Sequence, residues 1–215
     1  MEAISKDCRG FDRLWLDLCV VFFLVGLGLS TLGKARAWAF FTGLIWVWLT
    51  AGKGGHGSGG LGFDWHRSRE TLWMLEGAAF LGLTIWVIGW VCGPARHVRY
   101  FDNLILGKLG YFAGAGLQQV VIQSYCFVRL DKLLGSETRA CRWVERIFCL
   151  CHLPNPLLMF VAFWGGRLSC SIFRRHRNLY VLALAHGLVG ACMAAFWPPW
   201  TMRAGIGFVR IIAGL

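Results

Sequence analysis

Residues Leu104–Leu130 read LILGKLGYFAGAGLQQVVIQSYCFVRL. A helix that spans a membrane needs roughly 17–25 mostly apolar residues. This run is long enough, yet it carries the adjacent glutamines Gln118 and Gln119 and a third glutamine, Gln123. Polar side chains at bilayer depth are costly unless they meet partners or water, so they mark candidate functional sites. The stretch therefore predicts a membrane helix that carries a polar site.

Hydropathy along the rest of the chain predicts an all-α, polytopic transmembrane helix bundle. The chain has 215 residues and is 57% hydrophobic, against about 45–50% for an ordinary soluble domain. A short eighth helix is predicted at Thr201–Leu215, and about seven crossings are predicted near Leu14–Leu32, Ala35–Ala51, Leu72–Gly93, Leu104–Leu130, Ala140–His152, Pro156–Phe173 and Asn178–Trp197.

The basic residues of the chain lie mainly between the apolar runs. A formal charge of +11 so distributed favours lipid head groups over nucleic acid as the partner. Another spanning run follows the first one directly, so the first run is predicted to be a retained helix and not a signal peptide. The positive-inside rule predicts a cytoplasmic N-terminus, with these residues on the cytoplasmic side: Lys6, Arg9, Arg13, Lys53, Arg67, Arg69, Arg129, Lys132, Arg139, Arg174, Arg175 and Arg177.

The glycine-rich stretch Gly52–Gly62 divides the chain. It contains a formal GxGxxG pattern, Gly55–Gly60, but that pattern indicates phosphate binding only between a strand and a helix. Here it joins two membrane runs and predicts a flexible linker. The predicted organisation is a two-helix hairpin and linker over residues 1–71 and a transmembrane core over residues 72–215, within a single membrane domain.

Small residues on the fourth run indicate close helix packing. Gly110 and Gly114 are four apart, with Ala113 and Gly116 beside them, a spacing that lets helix backbones approach. The fourth helix is therefore predicted to lie at the centre of the bundle.

Three successive apolar segments carry the candidate site. Gln119 and Gln123 are four apart and share a helical face. The next segment ends in Phe-Cys-Leu-Cys-His, residues 148–152, followed by Leu-Pro-Asn-Pro, and the third reads RNLYVLALAHG from Arg177, which Asn178 is predicted to cap. The side chains predicted to line a central cavity are Gln118, Gln119, Gln123, His152 and His186, with Asn155 and Asn178 in support.

This order of motifs resembles the CAAX-protease and bacteriocin-processing family of intramembrane glutamic proteases. That family carries EExxxR, FxxxH and a third histidine motif on successive helices, and the resemblance covers roughly Leu104–Gly190. It implies a bacterial-type cytoplasmic membrane and peptide hydrolysis by a water that a glutamate and histidines activate. Here the first motif reads Gln118-Gln119-Val-Val-Ile-Gln123, and an amide cannot accept the proton that a carboxylate would take.

Three functions are compatible with these motifs. The first is a binding or structural subunit of a membrane complex, whose partners are the bilayer and other membrane subunits or a membrane peptide. The second is a divergent peptidase in which His152 and His186 activate water. The third is an accessory subunit that binds a tetrapyrrole.

An acid outside the motif or a bound metal could replace the missing glutamate at this site. Glu145 and Glu76 are candidate acids outside the motif, although Glu145 is predicted to pair with Arg142 and Arg146. His152, His186 and Cys149 offer fewer ligands than a structural zinc site requires, so no metal is predicted.

Overall fold

The computed structural model describes residues 2–31, 33–51, 62, 69, 71–92, 106–196 and 210. Every regular element in these ranges is a helix, which confirms the all-α prediction. The predicted helix at 201–215 and the GxGxxG pattern lie outside the described residues, apart from Arg210. The elements are α1 (Glu2–Ser30), α2 (Gly33–Ala51), α3 (Leu72–Cys92), α4 (Leu106–Gln119), a π-helical segment (Val120–Phe127), α5 (Val128–Leu134), α6 (Glu137–Leu150), α7 (Pro156–His176) and α8 (Leu179–Phe196).

Several of these helices have the length and surface of membrane helices. Asp12–Ser30, Leu72–Val91 and Pro156–His176 are long and apolar enough to cross a bilayer, and the apolar segment Leu179–Ala194 is shorter. Large apolar side chains are widely exposed, including Trp48 at 77% and Phe80 at 74%. Contiguous apolar surface of this kind is rare on soluble monomers and fits contact with lipid tails.

α4, the π segment and α5 form one continuous central helix. The π segment contacts α2, α6, α7 and α8, and α5 adds contacts to α1 and α6. α3 packs on α8, α6 on α7, and α1 on α2 as an N-terminal hairpin. The prediction that the fourth run lies at the centre of the bundle is thus confirmed.

Of the predicted small residues, Gly116 faces a neighbouring helix and Gly114 does not. A Cβ added to Gly114 would have no atom within 4 Å, and Gly110 lies outside the residues whose packing is described. A Cβ on Gly116 would instead lie 3.7 Å from Ala183 Cβ, and one on Gly187 would overlap the ring of Phe112. Because Gly116 and Gly187 face the contact, α4 and α8 approach closely.

Local signals fix the helix ends around the site. α5 ends at Gly135, whose φ of 58° is left-handed, a conformation that glycine adopts without a Cβ penalty. Asn155 caps α7 by accepting from the N–H groups of Leu157 and Leu158 at 3.1 and 3.2 Å, and Pro156 suits the first position of that helix.

Candidate functional site

The three glutamines occupy different environments around the start of the π segment. Gln118 is exposed, whereas Gln119 is 2% and Gln123 0% exposed. The helix changes from α to π immediately after Gln119. A π turn takes more residues than an α turn, so the α-helical spacing of four no longer places Gln119 and Gln123 on one face.

Gln119 contacts α8 through His186. Its Nε2 lies 3.1 Å from His186 Nδ1. With the amide in this orientation, Nε2 donates to Nδ1 and the neutral ring carries its proton on Nε2, while Gln119 Oε1 has no partner among the described residues. No hydrogen bond in the described part of the chain joins Gln123 to either histidine, and both of its amide atoms lack a partner there. The structure therefore pairs one glutamine with one histidine.

His152 has the opposite ring arrangement. Its Nδ1 donates to the backbone carbonyl of Phe148, one turn earlier, at 2.7 Å. The neutral ring then carries its proton on Nδ1 and leaves a lone pair on Nε2. Both histidines pack edge-on against the ring of Phe148, with ring centroids 5.0 Å from it for His152 and 5.8 Å for His186. Phe148 thus links the two predicted histidine motifs.

A cavity of about 390 Å³ opens between the N-terminal hairpin and the central helix. Its walls are almost entirely apolar and come from α1, α2, α4, the π segment and the end of α6. Gln118 and His152 are its main polar lining groups, whereas Gln119, Gln123 and His186 do not line it. The predicted constellation is thus divided between this cavity and the contact between α4 and α8.

The two asparagines lie at helix ends. Asn155 is 0% exposed and caps α7. Asn178 caps α8, as predicted, by accepting from Val181 N–H at 3.2 Å, and it also donates to Thr71 Oγ1 at 3.0 Å. Neither side chain lines the cavity. Asn155 caps the helix that follows His152, and Asn178 caps the helix that carries His186.

The candidate acids lie away from the histidines. Glu145 is buried against Gly166 and faces a separate pocket between α6 and α7. No ion pair joins it to Arg142 or Arg146 in the described residues, contrary to prediction. Glu76 is exposed on α3. Within the ranges that the structure describes, three or more His, Cys, Asp or Glu side chains do not gather at a metal-sized site.

A buried polar network that sequence reasoning missed attaches the hairpin to the central helix. Arg129 Nη2 lies 3.4 Å from Asp17 Oδ2 and donates to Thr50 O at 2.9 Å. Its guanidinium lies 3.5 Å above the ring of Tyr125, whose hydroxyl is 2.7 Å from Thr50 Oγ1. Arg129 is 3% exposed, so it belongs to the protein interior and not to the basic loops. Asp17, a lone acid in the first apolar run, was the available signal.

These features define an all-α membrane protein with a π-helical central element, two histidines against one phenylalanine, and an adjoining apolar cavity. Residues 101–192 match the sequence model of a family described as type II CAAX prenyl endopeptidase Rce1-like. The match covers 92 of the 215 residues, including the glutamines and both histidines, and it confirms the resemblance seen in the sequence. No curated protein matches the chain. No solved structure matches it either.

Proposed function

We propose that this chain is a non-catalytic Rce1-like membrane protein that holds a membrane peptide or partner helix in its cavity, as a subunit of a membrane complex. The observation that carries the proposal is the chemistry around the histidines. His186 receives a hydrogen bond from an amide, His152 donates to a backbone carbonyl, and the candidate acid Glu145 faces another pocket. A general base needs a carboxylate or a free imidazole lone pair within reach of water. No described carboxylate meets that need, and the lone pair on His152 Nε2 faces a cavity whose lining contains no carboxylate.

The cavity supports binding of an apolar segment. Ligand sites are commonly clefts of about 300–1,000 Å³ with apolar walls and a few polar groups that fix orientation. This cavity has about 390 Å³ of space, with Gln118 and His152 as polar groups near the end of α6. An apolar side chain or helix face fits the walls, and a peptide carbonyl or N–H fits the two polar groups.

The proposed location is a bacterial-type cytoplasmic membrane with the N-terminus in the cytoplasm. Arg177 bonds Glu137 at 3.2 Å, so the start of α6 and the end of α7 share one end of the bundle. That end carries Arg139, Arg174 and Arg175 as well, whereas the turn Cys151–Asn155 at the other end has neither Lys nor Arg. The excess of positive charge supports a cytoplasmic position for the first end.

The proposal is tested with the full chain in liposomes and a fluorescent prenylated CAAX peptide, the substrate class that the family description names. We expect saturable binding without cleavage when the peptide is analysed by mass spectrometry. Gly114→Phe should weaken binding at least about tenfold, equivalent to about 1.4 kcal/mol, because the new ring enters the cavity where no atom lies within 4 Å of the added Cβ.

Gly165→Phe is the matched control. Gly165 lies on α7, also has no atom within 4 Å of an added Cβ, and does not line the cavity. Its variant should bind the peptide like the natural chain. Equal affinity for Gly114→Phe and Gly165→Phe would contradict the assignment of the cavity. Cleavage by the natural chain that His152→Ala and His186→Ala both abolish would overturn the non-catalytic role.

A divergent peptidase is the second candidate, favoured by one observation. The lone pair on His152 Nε2 follows from the Nδ1 bond to Phe148, and the ring lines the cavity. A base at that atom would need a bound peptide whose scissile carbonyl lies close to it. Gln119→Glu places a carboxylate beside His186 and should give at most slow cleavage, measured in the same liposome assay.

A further inference from the structure

A second pocket, of about 380 Å³, lies between α6 and α7 on a different part of the molecule from the cavity. Three of its seven lining residues are arginines, and none of the seven belongs to the histidine motifs. The residues that carry its chemistry are Arg142, Arg167, Arg174, Glu145, Thr138 and Ser171.

The charges in this pocket do not cancel. Three guanidinium groups face one carboxylate, and within the described ranges no ion pair joins Glu145 to any of the three. Arg174 is engaged at the rim, where it lies 4.0 Å from Glu137 and 3.2 Å from Thr138 Oγ1. Arg142 and Arg167 donate no hydrogen bond to a described residue, so their guanidinium groups are available to bind an anion.

The position of the pocket relates it to the membrane surface. Arg167 and Ser171 lie in the second half of α7, a helix apolar enough to span the bilayer. Trp164 and Trp143 are about half exposed and lie beside Arg167 and Arg146, whose guanidinium groups are 5.8 and 5.5 Å from the indole rings. Arg167 lies near the middle of α7, and long arginine side chains extend from such positions toward the head groups. Basic pockets between helices on the cytoplasmic side bind the head groups of anionic lipids.

We propose that this pocket binds the phosphate of an anionic phospholipid head group. Arg142 and Arg167 would donate to the phosphate oxygens, since arginine forms paired, charge-assisted hydrogen bonds with phosphate. Ser171 adds a hydroxyl donor on the α7 wall. Glu145 on the α6 wall limits the net positive charge of the pocket and so limits affinity.

The test uses the full chain in a neutral maltoside detergent, with lipid binding measured by native mass spectrometry and by the shift in thermal unfolding. Phosphatidic acid should bind one molecule per chain and raise the unfolding temperature, whereas phosphatidylcholine should do neither. Arg142→Gln combined with Arg167→Gln should weaken the binding of phosphatidic acid about 25-fold, at about fivefold per arginine.

Two variants keep the test falsifiable if the double variant folds poorly. Arg146→Gln changes an exposed arginine of the same helix that does not line the pocket, and it should leave lipid affinity unchanged. Glu145→Gln removes the one carboxylate and should tighten binding. Weaker binding in Glu145→Gln, or equal losses in Arg146→Gln and Arg142→Gln, would overturn the site.

Inorganic phosphate separates a lipid from a free anion. Added alone at the concentrations that saturate the lipid effect, it should give no comparable rise in unfolding temperature. An equal rise would overturn the head-group assignment in favour of a soluble oxyanion. Equal binding of phosphatidic acid and phosphatidylcholine would overturn the phosphate assignment itself.

Discussion

Arg129→Met is the substitution whose cost follows most directly from the structure. Arg129 pairs with Asp17 across the boundary between the hairpin and the central helix, and the two side chains are 4% and 7% exposed. Methionine keeps much of the aliphatic stem and removes the charge. It leaves the Asp17 carboxylate buried without its cation, removes the donor to Thr50 O, and removes the guanidinium from the Tyr125 ring.

Removing one partner of a buried ion pair typically costs about 3–5 kcal/mol, and we expect Arg129→Met to fall in that range. Asp17→Asn should cost less, about 1–3 kcal/mol. The Asp17 contact is 3.4 Å long, beyond the 2.7–2.9 Å of a strong charge-assisted bond. Arg129 also keeps Thr50 O and the Tyr125 ring in that variant.

The double variant Asp17→Asn/Arg129→Met distinguishes this explanation from a simple loss of packing. With no buried carboxylate left unpaired, it should be more stable than Arg129→Met alone. The measurement is equilibrium unfolding in mixed SDS and maltoside micelles, followed by the fluorescence of the 12 tryptophans. The reasoning would be refuted if the stability losses of the two single variants simply added in the double variant. A loss below about 1 kcal/mol for Arg129→Met would also refute it.

Three further predictions address packing, burial and topology. Gly116→Leu should unfold at lower SDS than the natural chain because its side chain meets Ala183 on α8; an unchanged midpoint would contradict the close approach. Gln123→Leu should raise stability in the same assay, since it breaks no hydrogen bond to a described residue and removes a buried amide; a loss would show that the amide is satisfied in the folded protein. A reporter fused after Arg177 should be cytoplasmic and one inserted near Asn155 external, and the reverse pattern would invert the proposed orientation.

Hydropathy was sufficient to predict where most of the described helices lie, although only three of them are long and apolar enough to cross a bilayer. The run Pro156–Phe173 became α7, Pro156–His176, and the run Leu72–Gly93 became α3, Leu72–Cys92. Such runs are informative because a lipid environment forces the backbone to satisfy its own hydrogen bonds, and a helix does so within one segment. Each helix satisfies its own backbone hydrogen bonds, so it can be predicted without knowing how the helices pack.

The arrangement of the site could not be predicted from the spacing of residues along the sequence. Val120–Phe127 is apolar apart from Gln123 and Ser124, as a membrane α-helix can be, so the pattern gives no sign of the π segment. That segment separates the surroundings of Gln119 and Gln123. Arg129 was misplaced for a related reason, because a count of charges cannot distinguish a basic loop residue from a buried one whose acid lies 112 positions away.

Glutamine at position 119 differs from glutamate in more than charge. With Gln119 as the donor, His186 accepts at Nδ1 and presents an N–H at Nε2. A carboxylate at position 119 would instead accept from Nδ1 and leave a lone pair on Nε2, the atom that a general base needs. The natural side chain therefore makes His186 a donor while His152 keeps an acceptor at Nε2. Only His152 lines the cavity, so its Nε2 is the acceptor open to a bound group, whereas His186 serves the contact between α4 and α8.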